Sequence, residues 1–212
     1  MDYEAILEDI KPTKDEKDHI DNVSSRIMNF LQEACDKKGI DAKVTLVGSV
    51  AKNTALKGKS DIDIFIAFPL DTDKQYLKDK GLELAHECCT EFDVEAQHHF
   101  ASHPYVTTVI EECEADIVPC YSIKDGSELK SAVDRTILHT RYVKANLSQS
   151  QQDEVLLLKR FMAMTGTYGS EFKVGGFAGY LCELLIIHYG TFEDTLKAAI
   201  NWKYGHVIDL EN

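Results

Sequence analysis

The sequence has no long apolar run and is short of basic residues. Its 212 residues include 23 lysines and arginines against 36 aspartates and glutamates, which gives a formal net charge of −13. No apolar stretch approaches the roughly 20 residues that a membrane-spanning helix needs. The acidic start, MDYEAILEDIKP, lacks the basic and apolar regions of a secretory signal peptide. We therefore expect a cytoplasmic protein with no membrane-spanning segment.

The sequence also lacks the C-x-x-C spacing of zinc and redox sites. Its six cysteines are scattered, which in a reducing compartment is typical of buried, reduced thiols. A zinc site would have to combine Cys113 and Cys120 with His98, His99 and His103, and their spacing fits no zinc motif. The sequence thus favours six free cysteines.

The deficit of basic charge lies mostly in the first part of the chain. Residues 1–130 carry 15 basic and 27 acidic side chains, whereas residues 131–212 carry 8 and 9. Such acidity argues against a broad surface for nucleic acid. Any RNA partner would therefore have to be held by a local patch, by the second part of the chain, or by something outside this sequence.

The stretch that organises the sequence is residues 46–68, LVGSVAKNTALKGKSDIDIFIAF. Its last part alternates, and side chains two apart on a strand share a face. Asp61 and Asp63 should then project together from the face opposite four buried positions, which are Ile62, Ile64, Ile66 and Phe68. Two adjacent carboxylates repel each other unless a cation lies between them, and Mg²⁺ prefers oxygen ligands. The pattern predicts a metal site.

The first half of the same stretch suits a phosphate group. Val44–Val47 has the pattern of a strand, and a helix can begin at Ser49 after the glycine turn at Gly48. Amides at such a helix start, with the Ser49 hydroxyl and Lys52, would form an anion site. For each half alone, a turn before an edge strand with solvated aspartates is the favoured interpretation, because Gly-Ser and Asp-x-Asp are both common. Their combination, with a third carboxylate, is what indicates function.

The third carboxylate is Asp116, in the apolar segment EADIVPCY. This segment, 115–121, is the last of three extended segments, after 94–101 and 105–112. If it pairs with the strand that carries Asp63, three carboxylates meet. Otherwise Asp116 is an ordinary aspartate at a strand edge.

Strand and helix patterns divide the chain near residue 128. Residues 1–128 alternate between helices and extended segments, and Asp71 or Asp73 caps one of these helices. The later residues have the pattern of helices, apart from a short strand predicted at His206–Leu210. We predict an α/β (α+β) domain with a mixed sheet over 1–128 and a helical domain over 129–212.

These motifs together resemble a known family. GSVAKNTALKGKSDIDIF, EADIVPCY, SAVDRT, LLLKRF and YGSEFKVGGFAGYLCELLI follow one another from about Val44 onward. They are similar to archaeal-type (class I) CCA-adding tRNA nucleotidyltransferases, of the DNA polymerase β-like superfamily. The resemblance implies a nucleotidyltransferase head and a helical neck. It also implies the addition of C and A, from CTP and ATP, to the 3′ end of tRNA. The family's later tRNA-binding domains would lie outside these residues.

The resemblance also implies roles for particular residues. Asp61, Asp63 and Asp116 would hold two Mg²⁺ ions, one activating the RNA 3′-hydroxyl and the other neutralising the pyrophosphate. Asp61 departs from the glutamate that the family often has, which shortens that ligand by one methylene. The implied nucleotide-binding residues are Gly48, Ser49, Lys52, His139, Lys159 and Tyr168.

Three of these residues have a structural interpretation as well. His139 fits a solvated position on a helix, Lys159 fits a side chain that snorkels from an apolar helix, and Tyr168 fits packing between two glycines. From the residues alone, these interpretations are favoured. The resemblance is what assigns the three side chains to the triphosphate.

Two other functions stay open at this point. An oligonucleotide synthase of the same superfamily would need the same three aspartates and would differ in its acceptor. A nucleotide-binding module would keep the fold without turnover. The oligomeric state is open too, a homodimer included.

Overall fold

The computed structural model describes residues 2–59, 61–99, 104–169 and 174–211. The α-helices in these ranges are α1 (Tyr3–Ile10), α2 (Lys14–Lys38), α3 (Gly48–Ala51), α4 (Lys74–Glu91), α5 (Arg135–Asn146), α6 (Gln149–Met164), α7 (Gly179–Tyr189) and α8 (Phe192–Ala199). The strands are β1 (Lys43–Val47), β2 (Ile62–Phe68), β3 (Gln97–His99), β4 (Tyr105–Ile110) and β5 (Cys113–Tyr121). No helix of the described residues combines the length and the apolar character needed to cross a bilayer.

The strands form one mixed sheet in the order β1-β2-β5-β4-β3. β2 and β5 are parallel, and every other neighbouring pair is antiparallel. The turn between β4 and β5 consists of Glu111 and Glu112, whose φ angles of 49° and 68° are both positive. Positive φ at both central residues is the geometry of a type I′ hairpin turn, which matches the twist of the strands. The predicted α/β fold with a mixed sheet is confirmed.

Both faces of β2 are buried, which explains its nearly continuous apolar sequence. One face packs against apolar residues of α2 and α4, among them Ile27 and Leu84. The side chains of β2 on that face are at most 1% exposed, and they are Ile62, Ile64, Ile66 and Phe68. The other face carries Phe65, which packs with Val118 of β5 and Ile137 of α5. The predicted alternation along β2 is therefore confirmed.

The helix boundaries follow local signals in the sequence. Thr13 caps α2 in a capping box with Glu16, and Ser148 caps α6 in the same way with Gln151. The α2 helix ends at Gly39, which adopts φ 64°. These caps satisfy backbone groups that helix ends leave without partners, so such boundaries can be read from sequence.

The chain forms two compact units that are each discontinuous in sequence. The sheet unit comprises Thr13–Lys52 and Lys59–Arg141, and the helical unit comprises Met1–Pro12, Asn53–Gly58 and Tyr142–Asn212. Two early segments belong to the helical unit because Ile10 of α1 is buried among apolar residues of α6 and α7, with Leu56 packed against them. Our prediction instead placed a single domain boundary after residue 128. The assignment of head and neck functions to particular residues stays a prediction.

Two predicted elements differ from the structure. The strand predicted at His206–Leu210 is wrong, because these residues have no regular structure and Val207 is 81% exposed. A strand needs a pairing partner, and every strand of the described ranges lies in the sheet unit. The strand predicted over 94–101 is observed only as β3, and Phe100 and Ala101 lie outside the described residues.

The cysteines are free and buried, as their scattered spacing predicts. Cys113 and Cys120 lie near opposite ends of the single strand β5. At about 3.3 Å per residue they are about 23 Å apart. They cannot bind one zinc ion together.

Gly81 of α4 provides a test of how closely helix and sheet pack. A Cβ at this position would stand 2.3 Å from Pro119 Cβ on β5. We expect Gly81→Ala to lower the free energy of unfolding by about 1–3 kcal/mol, the usual effect of overpacking. The better helix propensity of alanine, about 1 kcal/mol, would act in the opposite direction. Urea denaturation followed by circular dichroism measures the net effect.

The matched control is Gly126→Ala, since a Cβ there would meet no atom within 4 Å. Its unfolding free energy should stay within about 0.5 kcal/mol of the wild-type value. A Gly81→Ala protein more stable than the wild type by about 1 kcal/mol, the full gain in helix propensity, would contradict the packing that the structure shows.

Candidate active site

The turn after β1 lies directly against Asp63. Val47, the last residue of β1, pairs with Asp63 of β2, and Gly48 follows with φ 72°. A Cβ on Gly48 would stand 1.8 Å from Asp63 Oδ2. Glycine is required here both for its backbone conformation and because the carboxylate occupies the space of a side chain. Strand pairing therefore brings the predicted phosphate turn and a predicted metal ligand together.

The parallel pairing of β2 and β5 places Asp63 directly beside Asp116. Asp116 is also a cross-strand partner of Thr107 on β4, whose hydroxyl donates to Asp116 Oδ1 at 2.5 Å. The sequence analysis missed Thr107. Its position in the polar pair of YVTTVI is a weak signal, and only the register between β4 and β5 shows that it meets a carboxylate.

The pKa of Asp63 reflects both its burial and the negative charge around it. Burial is the largest cause that raises this pKa, and the charges of Asp116 and Asp61 add to it, to give about 7. The positive charge of Lys52 acts in the opposite direction. Burial also raises the pKa of Asp116, against the lowering effect of the Thr107 hydrogen bond. The carboxylates of Asp63 and Asp116 therefore lie close to other negative charge and are partly shielded from water.

This donor set fits a divalent cation. Carboxylate oxygens are the ligands that hard divalent ions prefer, and a cation would relieve the repulsion that raises the pKa of Asp63. Asp61 directly precedes β2 and is exposed, whereas Asp63 and Asp116 are half-buried. Among the described residues, no group of three or more His, Cys, Asp or Glu side chains is arranged closely enough to hold a metal ion. The role of the three aspartates as metal ligands stays a prediction.

The other predicted residues of the sheet unit lie on the turn and on α5. Ser49 is half-buried in the four-residue helix α3, and Lys52 follows it, 8% exposed. Lys52 is close enough to Asp63 to influence its pKa. His139 lies on α5 and is half-buried. Their contacts with a nucleotide stay predictions.

The helical unit holds Lys159 and Tyr168. Lys159 is 2% exposed, so it does not snorkel to the surface. The space where Gly179, the first residue of α7, lacks a Cβ is 3.4 Å from Lys159 Nζ and 3.1 Å from the Tyr168 hydroxyl. Both polar groups therefore lie at the start of α7. The sequence analysis gave no role to Thr54 or Glu183, which are the partners of Lys159.

Comparison with known families agrees with this geometry. The nucleotidyltransferase domain family matches residues 27–139, which include the glycine turn and all three aspartates. The chain belongs to the nucleotidyltransferase domain family. A second family, described as "tRNA nucleotidyltransferase, second domain", matches residues 153–212. Nucleotidyltransferases of this family generally need a divalent metal ion, in agreement with the carboxylate oxygens of Asp63 and Asp116.

Similar curated proteins are named CCA-adding enzyme. That of Methanothermobacter thermautotrophicus is 55% identical over 210 residues, which cover 99% of this chain and 46% of that protein. That of Methanosarcina acetivorans is 44% identical over 207 residues, covering 97% and 45%. The chain thus spans about half the length of the curated relatives it matches.

Solved structures share the fold at much lower identity. The RNA terminal uridylyl transferase Cid1 has a TM-score of 0.65 and 17% identity, with 88% of this chain and 51% of that chain covered. CdnC of E. coli MS115-1, solved with HORMA-deltaN, has a TM-score of 0.61 and 19% identity, covering 91% and 66%. At such identities the likeness shows the fold alone.

The raised pKa of Asp63 leads to a prediction about stability. Its folded value of about 7 exceeds the ordinary 3.8, so between these values the folded state binds more protons than the unfolded state. Stability is therefore lost as pH rises from about 4 to about 7. In metal-free buffer, Asp63→Asn should raise the unfolding free energy at pH 8 by roughly 2–4 kcal/mol and leave it unchanged near pH 4.

Urea titrations in EDTA at pH 4, 6 and 8 measure this difference. Asp41→Asn, at an exposed position of the same unit, is the control and should follow the wild-type curve at each pH. Equal stabilities of Asp63→Asn and wild type at pH 8 would show that the Asp63 carboxylate is not destabilised by its surroundings.

Proposed function

We propose that this chain is the catalytic portion of a CCA-adding enzyme, which transfers nucleotides from CTP and ATP to the 3′ end of tRNA. The observation that carries the proposal is the 55% identity over 99% of the chain to a protein named CCA-adding enzyme. The geometry of the sheet unit supports it, since Asp63 lies against the glycine turn and pairs with Asp116 on the neighbouring strand. The sheet unit would be the catalytic head and the helical unit the neck.

In the proposed mechanism, Asp61, Asp63 and Asp116 would hold two Mg²⁺ ions. Bound ions of this kind lower the pKa of the attacking 3′-hydroxyl and neutralise the charge of the leaving pyrophosphate. The Thr107 hydroxyl orients the Asp116 carboxylate. Gly48 lets the backbone of the turn come close to Asp63.

Each unit has its own proposed nucleotide-binding residues. In the sheet unit, Gly48 provides the turn, and Ser49, Lys52 and His139 would contact the triphosphate. In the helical unit, Lys159 and Tyr168 would do so, and the approach of both to Gly179 supports their joint use. Cationic and hydroxyl donors are the groups that phosphate oxygens accept from.

The charge of the chain bears on how it would hold tRNA. A net charge of −13 is unfavourable for a phosphate backbone. In the curated relatives, the matched part is only about half of the protein. We therefore expect these 212 residues to bind tRNA weakly.

The test is nucleotide transfer by the purified chain. It is incubated with Mg²⁺, labelled CTP and ATP, and a tRNA that lacks its CCA end, at RNA concentrations high enough to offset weak binding. We expect extension of the tRNA by C, C and A. Asp63→Asn and Asp116→Asn should lower transfer by at least about 100-fold, because each removes a charged metal ligand, while circular dichroism shows them folded. Asp41→Asn is the control with wild-type transfer.

Two other outcomes would contradict the proposal. Short free oligonucleotides without tRNA extension would indicate an oligonucleotide synthase of the same superfamily. Nucleotide binding that needs neither Mg²⁺ nor the aspartates, with no transfer, would indicate a binding module without turnover.

Thr107 provides a second, more specific test. Thr107→Val keeps the shape but removes the hydroxyl that lowers the pKa of Asp116. The pKa of Asp116 should rise, so the acidic limb of the transfer rate should move to higher pH, because a metal ligand must be ionised. Transfer measured between pH 5 and 9 detects this shift.

The matched control is Thr108→Val on the same strand, which removes a hydroxyl that donates to Glu95 O instead. Its pH profile should coincide with that of the wild type. A wild-type profile for Thr107→Val would show that the hydrogen bond does not influence the reaction.

A further inference from the structure

Three polar residues contact one another inside the helical unit. Lys159 of α6 is 2% exposed, and Glu183 of α7 and Thr54 are fully buried. Lys159 Nζ donates to Thr54 O at 2.8 Å and to Thr54 Oγ1 at 3.2 Å. Thr54 Oγ1 donates to Glu183 Oε1 at 2.6 Å, and Lys159 Nζ lies 3.5 Å from the same oxygen. Each residue therefore contacts the other two.

Stability alone does not account for this network. Its two charged residues lie on helices whose other buried side chains are almost all apolar, such as Leu158 and Leu185. Taking two charges out of water is unfavourable for each ion, and apolar replacements of buried ion pairs are often neutral or stabilising. A buried pair of this kind indicates that one of the charges has a role other than stabilising the fold.

The position of Lys159 indicates what its charge is used for. Its Nζ adjoins the space left by the missing side chain of Gly179, and the Tyr168 hydroxyl adjoins the same space. An ammonium group next to a hydroxyl is suited to an anionic ligand. Lysine has a long flexible stem, so its charge stays in one place only if other groups hold it there.

We propose that Glu183 is a positioning residue, which together with Thr54 holds the Lys159 ammonium charged and fixed for contact with a nucleotide triphosphate. The inference rests on the proposed function, because it takes Lys159 as a triphosphate contact. Glu183 itself does not touch the nucleotide. It acts through Lys159, by providing the opposite charge and by fixing the Thr54 hydroxyl that Lys159 binds. Holding the side chain in advance reduces the entropy that is lost on binding.

The experiment compares three variants of the 212-residue chain, Glu183→Gln, Lys159→Met and the double variant. Calorimetric titration with Mg²⁺-ATP and Mg²⁺-CTP gives the dissociation constant of the folded protein, and a thermal scan gives Tm. We expect Glu183→Gln to weaken binding about tenfold, in line with the loss of a charge-assisted contact. Lys159→Met should weaken binding at least as much.

The double variant separates positioning from stability. Its dissociation constant should equal that of Lys159→Met, since Glu183 acts only through Lys159. Its Tm should rise above those of both single variants, because neither charge is then left buried without the other. The control is Glu33→Gln, which removes an exposed partner of Lys37 at 3.0 Å and should change neither quantity.

Wild-type affinity in Glu183→Gln, with a lowered Tm, would overturn the inference and leave the proposed function intact. Failure of the wild-type chain to bind Mg²⁺-nucleotide would instead contradict the proposed function itself. If Glu183→Gln does not fold, Thr54→Val takes its place, because it removes the bridging hydroxyl and keeps both charges. Reduced affinity is again expected, and wild-type affinity in this variant would overturn the inference.

Discussion

The parallel pairing of β2 with β5 is the constraint on which the sheet unit of this protein depends. It puts Asp63 next to Asp116, two carboxylates that repel each other and that burial partly deprives of water. A sheet buried on both faces can hold them together, because the apolar residues that alternate with Asp63 fix the register of the strand. The cost of this arrangement shows in the pKa of Asp63, which is raised to about 7.

The helical unit has a comparable arrangement with charges of opposite sign. Lys159 and Glu183 lie in an apolar core and hold each other through Thr54, so their charges are retained where apolar residues would pack at less cost. In both units, polar groups that a core would normally exclude are kept in place by the packing around them.

Much of the fold could be predicted from short stretches of sequence. The alternation in β2, the capping residues Thr13 and Ser148 and the glycine that ends α2 each act on neighbouring residues, so their effects can be read locally. The strand predicted at His206–Leu210 was wrong, because a local sequence pattern does not determine whether a partner strand lies beside it. Strand formation depends on pairing as well as on pattern.

For the candidate site, the sequence by itself determined the chemical groups, namely the glycine turn, the Asp-x-Asp strand and Asp116, because residue types and short spacings are local properties. Only the tertiary structure decided which of these groups meet. Thr107 reaches Asp116 through the β4–β5 register, and Thr54 reaches Glu183 across 129 positions of the chain. Such contacts depend on how distant segments of the chain pack together, which a local sequence pattern cannot show.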